Sequence, residues 1–187
     1  MRRPSLLPLA LALALAPAAG AQPVEADVRF MREMIPHHAQ ALEMTDLVEQ
    51  RTENPRIRML AERIAVSQAD EIGWMEAWLD AHGRAVPPEG DHAHHAGHGE
   101  LMPGMLTPEE MAALAGSSGP TFDRLFLEGM IRHHEGALVM VDTLLATPGA
   151  AQATEVYQIA TDIGADQRAD IDRMRAMLDA LPPSAER

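Results

Sequence analysis

The sequence predicts an all-α protein: a four-helix bundle assembled from two duplicated helical hairpins, joined by a long His-rich crossover. Three observations carry that prediction. "FMREMIPHHAQALEM" at 30–44 returns as "FLEGMIRHHEGALVM" at 126–140. Apolar residues recur at helical spacing through both stretches and the segments that follow them, while the period-two alternation of strands is absent. Helix breakers and caps fall between the periodic segments, at Asn54-Pro55, Thr147-Pro148 and "LPP" 181–183.

The duplication is regular. Asp27, Phe30, Met34, Ile35, His37, His38 and Met44 recur as Asp123, Phe126, Met130, Ile131, His133, His134 and Met140, each 96 residues on. The following segments are related at a spacing of 99: Gln68, Glu71, Ile72 and Met75 answer to Gln167, Asp170, Ile171 and Met174. The chain is thus a tandem of two hairpins.

Taken in order, residues 1–21 read as a signal peptide. Two arginines precede a Leu/Ala stretch, and Ala19-Gly20-Ala21 is a small-residue cleavage pattern. The apolar stretch is short for a membrane span, and no other long apolar run exists, so the exported chain is not expected to be membrane-embedded. The first hairpin occupies 22–83. Its first helix runs from about Asp27 to Arg51 and contains Pro36, which removes a hydrogen bond, clashes with the Arg32 carbonyl and predicts a kink. That kink either re-aims His37 and His38 or is a tolerated relic. Asn54 as N-cap and Pro55 at the first helical position open the second helix, which reaches Gly83. Residues 84–120 form a His/Met-rich linker, in which "TPEE" at 107–110 is a capping box opening a short helix that ends at Gly116. The second hairpin occupies 121–187. Its first helix starts near Thr121 and stops before Thr147-Pro148, and the last helix follows that pair.

Composition narrows the function. The formal charge is −13, and loss of Arg2 and Arg3 with the leader makes the exported chain more acidic still. An acidic, aromatic-poor chain without lysine excludes nucleic acid as a natural partner and mildly attracts cations. No cysteine is present. In an oxidising compartment the chain therefore has neither a disulfide nor a thiolate site, and any metal must be held by His, Met, Asp or Glu.

Helical projection places Phe30, Met34, His37, Ala41, Met44 and Val48 in one stripe, with His38 just off its edge. Met130, His133, His134 and Met140 repeat the arrangement. On the second helix of each hairpin, Gln68 and Glu71, or Gln167 and Asp170, share the apolar face. Burying four imidazoles, two amides and two carboxylates is costly unless they pair or ligate. Imidazole with thioether suits Cu(I); imidazole with carboxylate suits Cu(II) or zinc, zinc being the weaker candidate. Met34, His37, His38, Met44, Met130, His133, His134 and Met140 are therefore the candidate metal ligands. Gln68, Glu71, Gln167 and Asp170 are candidates to support them from behind. The alternative is two His–Glu/Asp hydrogen-bond clusters that fix helix register and bind nothing. Adjacent histidines diverge by about 100° on a helix, so one pair does not chelate one ion, and one shared site or two are both open.

The crossover offers a secondary metal site in His92, His94, His95 and His98, with Met102 and Met105 beyond. Its alternative is a solvated linker, because such tracts are assigned on composition alone.

The two "MI-x-HH" stretches, "MPGMLTPEEMAAL" and the Gln-x-x-Glu-Ile-x-x-Met pattern at 68–75 resemble the bacterial family named domain of unknown function 305, over about 27–181. The resemblance implies a ferritin-like helical bundle, often exported, with some members implicated in copper binding and copper tolerance. It also implies that the paired His and Met residues handle the metal. The leading expectation is an exported, periplasmic copper-binding protein that buffers or transfers copper, with other copper-handling proteins as partners. A ferritin-like metal-dependent oxidoreductase is the enzymatic alternative. Di-iron bundles use Glu-x-x-His on facing helices, yet the single such motif here, Glu89 to His92, lies in the Pro/Gly crossover. His134-Glu135 begins a zinc-protease motif that fails at Leu138. A structural module with a His-containing core is the third reading.

Overall fold

A computed structural model describes residues 23–88 and 101–182. Residues 1–22, the crossover histidines and the last five residues lie outside them. Helix α1 spans Glu25–Asp46 and α2 spans Val48–Arg51; α3 is Pro55–Ala81, α4 Pro108–Gly116, α5 Gly119–Ala146 and α6 Thr154–Asp179. The described residues contain no strand. The four long helices α1, α3, α5 and α6 form the bundle: α1 packs on α3, α5 on α6, and α1 meets α5.

Local chemistry sets the ends. Asn54 accepts the Arg56 N–H through Oδ1 at 3.1 Å, and Pro55 follows as the first residue of α3. Thr107 and Glu110 form the reciprocal cap of α4, at 3.2 and 2.8 Å. Pro36 does not divide α1, which continues through it as one helix; the break in the first long helix comes later, at Leu47.

The start of the last helix differs from expectation. It follows Thr147-Pro148 but begins only at Thr154, not directly at that pair. The intervening turn includes Gly149 at φ +81° and Ala151 at φ +52°, left-handed conformations that no helix admits. The Ala151 N–H donates to Asp27 Oδ1 at 2.7 Å. Residues 147–153 therefore form a connector, buried at Ala150, Ala151 and Ala153, that is longer than its counterpart at 52–54, and the growth of the repeat spacing from 96 to 99 falls here. Asp123, the repeat partner of Asp27, makes the equivalent tie by accepting from Asn54 Nδ2 at 2.9 Å. Each buried aspartate thus anchors one interhelical turn.

The core is layered. One apolar cluster combines the N-terminal half of α1 with the C-terminal half of α5 and includes Met34, Met75 and Met140. The other combines the remaining halves and includes Met44, Phe126, Met130 and Met174. The helices α1 and α5 consequently run in opposite directions. Between the clusters lie His37, His38, Gln68, Glu71, His133, His134, Gln167 and Asp170, all buried. A fully buried Met, Leu, Ile or Phe contributes about 1.5–3 kcal/mol, and each unpartnered buried polar group costs about 1–3 kcal/mol. The middle layer therefore offsets a sizeable part of what the outer layers gain.

Candidate metal centre

The four imidazoles come together at the centre of the bundle. His37 of α1 and His133 of α5 lie with ring centroids 4.0 Å apart. Their chain neighbours His38 and His134 sit at 6.3 and 6.2 Å from them. All four rings are 0% exposed. The internal two-fold repeat brings both His pairs into one cluster because α1 and α5 cross at corresponding residues.

The two pairs are held differently. His37 Nε2 lies 3.0 Å from the Pro103 carbonyl and donates to it in the tautomer that this acceptor requires. His38 Nε2 lies 2.7 Å from Glu71 Oε2. In the second repeat neither imidazole has such an anchor. Asp170, the counterpart of Glu71, is ion-paired with Arg63 and with Arg173, the latter at 3.0 Å. It is left 3.8 Å from His134 Nε2. Six of the eight ring nitrogens, namely Nδ1 of His37 and His38 and both nitrogens of His133 and His134, have no hydrogen-bond partner. The Gln68 amide is unpartnered at both ends and Gln167 at its oxygen.

Burial controls ionisation. Desolvation first, and then the neighbouring His38, lower His37 to about 3 against the opposing Pro103 carbonyl. Desolvation, then His38 and His37, lower His134 to about 3. His133 is lowered well below the usual imidazole range by desolvation and then by His37, His134 and His38. The His37 carbonyl near His133 and the Met130 carbonyl near His134 oppose this weakly, without hydrogen-bond geometry. Neutral imidazole is the form that binds metal.

The donor chemistry fits a soft ion. Met34 and Met140 belong to the apolar cluster on one side of the layer, Met44 and Met130 to that on the other. Among the described residues, no three His, Asp or Glu side chains are already gathered around one metal position. Imidazole and thioether together are donor types that would suit Cu(I). The crossover candidates His92, His94, His95 and His98 lie outside the described residues. Met105 is buried, and Met102 packs against the first apolar cluster.

Sequence reasoning missed the strap over the cluster, residues 102–106. Gln40 Nε2 donates to the Leu106 carbonyl at 2.9 Å, and its Oε1 accepts the Leu106 N–H at 2.8 Å. Gly136, the repeat counterpart of Gln40, admits the strap's backbone: a Cβ there would lie 1.9 Å from the Pro103 oxygen. Arg132, which stands where the first repeat has Pro36, grips Glu110 of α4 at 2.7 and 2.6 Å. The signal was present as departures from the repeat, since one strap cannot satisfy two identical halves.

A duplicated four-helix bundle with a sealed imidazole layer flanked by methionines is the class of protein these features define. The family described as Domain of unknown function (DUF305) matches residues 27–178, and the chain belongs to it. A DUF305 fragment from Deinococcus radiodurans is similar in structure, with 32% identity, a TM-score of 0.72, and coverage of 86% of this chain and 100% of that one. CopM in its Cu(I)-bound form is similar at 29% identity and a TM-score of 0.63, over 82% of this chain and 96% of CopM. Its Cu(II)-bound form gives 30% and 0.64. Uncharacterized protein L153 of Acanthamoeba polyphaga mimivirus is 43% identical over 54 residues, which span 29% of this chain and 36% of that protein's length. Among the described residues, no helix is long and apolar enough to cross a membrane.

Proposed function

We propose that this protein is an exported copper-binding protein that holds Cu(I) inside the bundle and acts in the periplasm as a buffer or transfer protein for copper tolerance. One observation carries the reading: six imidazole nitrogens lack partners in a sealed layer, and buried thioethers flank that layer on both sides. An ion accepting nitrogen and sulfur donors together relieves this cost, and Cu(I) suits that set better than zinc. The likeness to CopM, described in Cu(I)- and Cu(II)-bound forms, supports copper.

The ligands are drawn from Met34, His37, His38, Met44, Met130, His133, His134 and Met140. Pro103 and Glu71 hold His37 and His38 through Nε2, which leaves their Nδ1 atoms to face an ion. Gln68, Gln167 and Asp170 support the cluster from behind. The crossover histidines collect copper, including Cu(II), and other copper-handling proteins receive it. The bundle itself carries out no turnover.

The 2.7 Å contact of His38 with Glu71, which ties α1 to α3, favours a second reading in which the layer sets helix register. A competition titration separates the two. Residues 22–187 are titrated with Cu(I), without oxygen, against a calibrated chelator, beside a variant with His37, His38, His133 and His134 all changed to Ala. Tight binding that the variant loses is the expected result. Equal binding by both would assign any copper to methionines or the crossover and leave the imidazoles a structural layer.

A further inference from the structure

An ion destined for a layer whose four imidazoles are 0% exposed needs a way in. Three of the four motif methionines, Met34, Met44 and Met130, are also 0% exposed, whereas Met140 is 8% exposed. Met140 lines a cavity of about 150 Å³ whose walls include Phe30, Glu33, Pro103, Val139 and Thr143. That cavity, itself open to solvent, shares Ala26, Arg29, Glu33 and Thr147 with an adjoining depression of about 480 Å³. Pro103 lines the Met140 cavity, and its carbonyl contacts His37. Pro103 thus stands between the cavity that Met140 lines and the imidazole layer.

At the pseudo-symmetric position the methionine is fully buried, Met44 being 0% exposed. Met44 is the repeat counterpart of Met140, and its methyl group converges with the Leu106 side chain over Gly129, 3.3 and 3.2 Å from where a Cβ would stand. Gln40 fixes Leu106 in that place by two hydrogen bonds. The single strap therefore covers Met44 with Leu106, which itself lines a separate groove, and leaves Met140 lining the cavity beside Pro103. The mouth carries Glu25 and Glu33 with Arg29 and Arg32, so its charges are balanced. Selection there falls to the thioether, which favours a soft monovalent ion over hard cations.

We infer that this groove is the passage by which a soft monovalent metal ion reaches the buried layer, with the Met140 sulfur as its first ligand. The inference rests on the copper-binding reading and adds a route to it. A passage residue outside the ligand set changes how fast the ion enters and leaves, not how tightly it is held.

The test is stopped-flow transfer of Cu(I) from a coloured Cu(I) chelator to the full exported chain, followed by loss of the chelator complex. Val139→Trp narrows the groove from an exposed position (52%). Ala113→Trp, in the separate groove beside Leu106 and Gly129, is the control. Val139→Trp is expected to slow association and dissociation alike, by about tenfold, with equilibrium affinity unchanged and Ala113→Trp without effect. Unchanged rates in Val139→Trp overturn the passage while the carrier reading stands, and absence of bundle binding in the parent chain overturns both. A second measurement needs neither metal nor variant. Limited hydrogen peroxide oxidation with peptide mass mapping should convert Met140 to sulfoxide before Met34, Met44 and Met130, and earlier oxidation of Met44 would refute the assignment.

Discussion

Gly136 and Gly73 show how differently one residue type acts at two places in the same fold. Both lie within long helices, where glycine is less favourable than alanine by about 0.8–1 kcal/mol. A Cβ at Gly73 meets nothing within 4 Å, while one at Gly136 collides with the Pro103 carbonyl carbon and oxygen. Gly73→Ala should therefore raise stability by about 0.5–1 kcal/mol, and Gly136→Ala should lower it by about 1–3 kcal/mol because backbone must move. Urea midpoints of the metal-free variants check both signs. Equal stabilisation by the two would mean that the strap does not rest on α5.

At the scale of the element, residues 102–106 are the asymmetric part of a symmetric molecule. The strap touches both repeats, through Gln40 on one side and Gly136 on the other. Gln40 satisfies both backbone groups of buried Leu106, so its removal leaves a donor and an acceptor without partners. Gln40→Ala is expected to cost about 1–3 kcal/mol and to speed hydrogen exchange at the Leu106 amide. Unaltered protection of that amide would show that something other than Gln40 holds the strap down. The ion pair of Arg132 with Glu110 is more exposed and contributes less, by about 0–1 kcal/mol. Buried hydrogen bonds thus fix the strap more firmly than this surface contact.

For the whole molecule, the imidazole layer links folding to pH. His37, His133 and His134 stay neutral in the fold far below their ordinary range, two of them to about 3. An unfolded imidazole titrates near 6.5. From about pH 6.5 down to about 3 the unfolded chain therefore binds more protons, and stability falls as pH falls. Each of these imidazoles contributes up to about 1.4 kcal/mol per pH unit within that window. Denaturant unfolding of the metal-free protein at pH 7, 6 and 5 should show this loss, and the four-alanine variant should lack most of it. An equal slope in both proteins would remove the buried imidazoles as its cause.

The sequence by itself determined the helices, their duplication and the residues of the central layer. Helical periodicity, cap residues and the repeated "HH" pairs are local signals, and a buried imidazole on an apolar stripe stands out because burying it is costly. The Thr147-Pro148 pair shows the limit of such signals. The pair falls at the end of α5, but α6 starts only at Thr154, after a turn in which the distant Asp27 carboxylate accepts from the Ala151 N–H. Tertiary structure decided that the two His pairs meet in one cluster, since antiparallel packing of α1 on α5 is invisible in either helix alone. It also decided that Glu71 holds its histidine while Asp170 is drawn to Arg63 and Arg173. Two positions that match in sequence came to differ because long-range neighbours, unlike helical spacing, are not repeated with the motif.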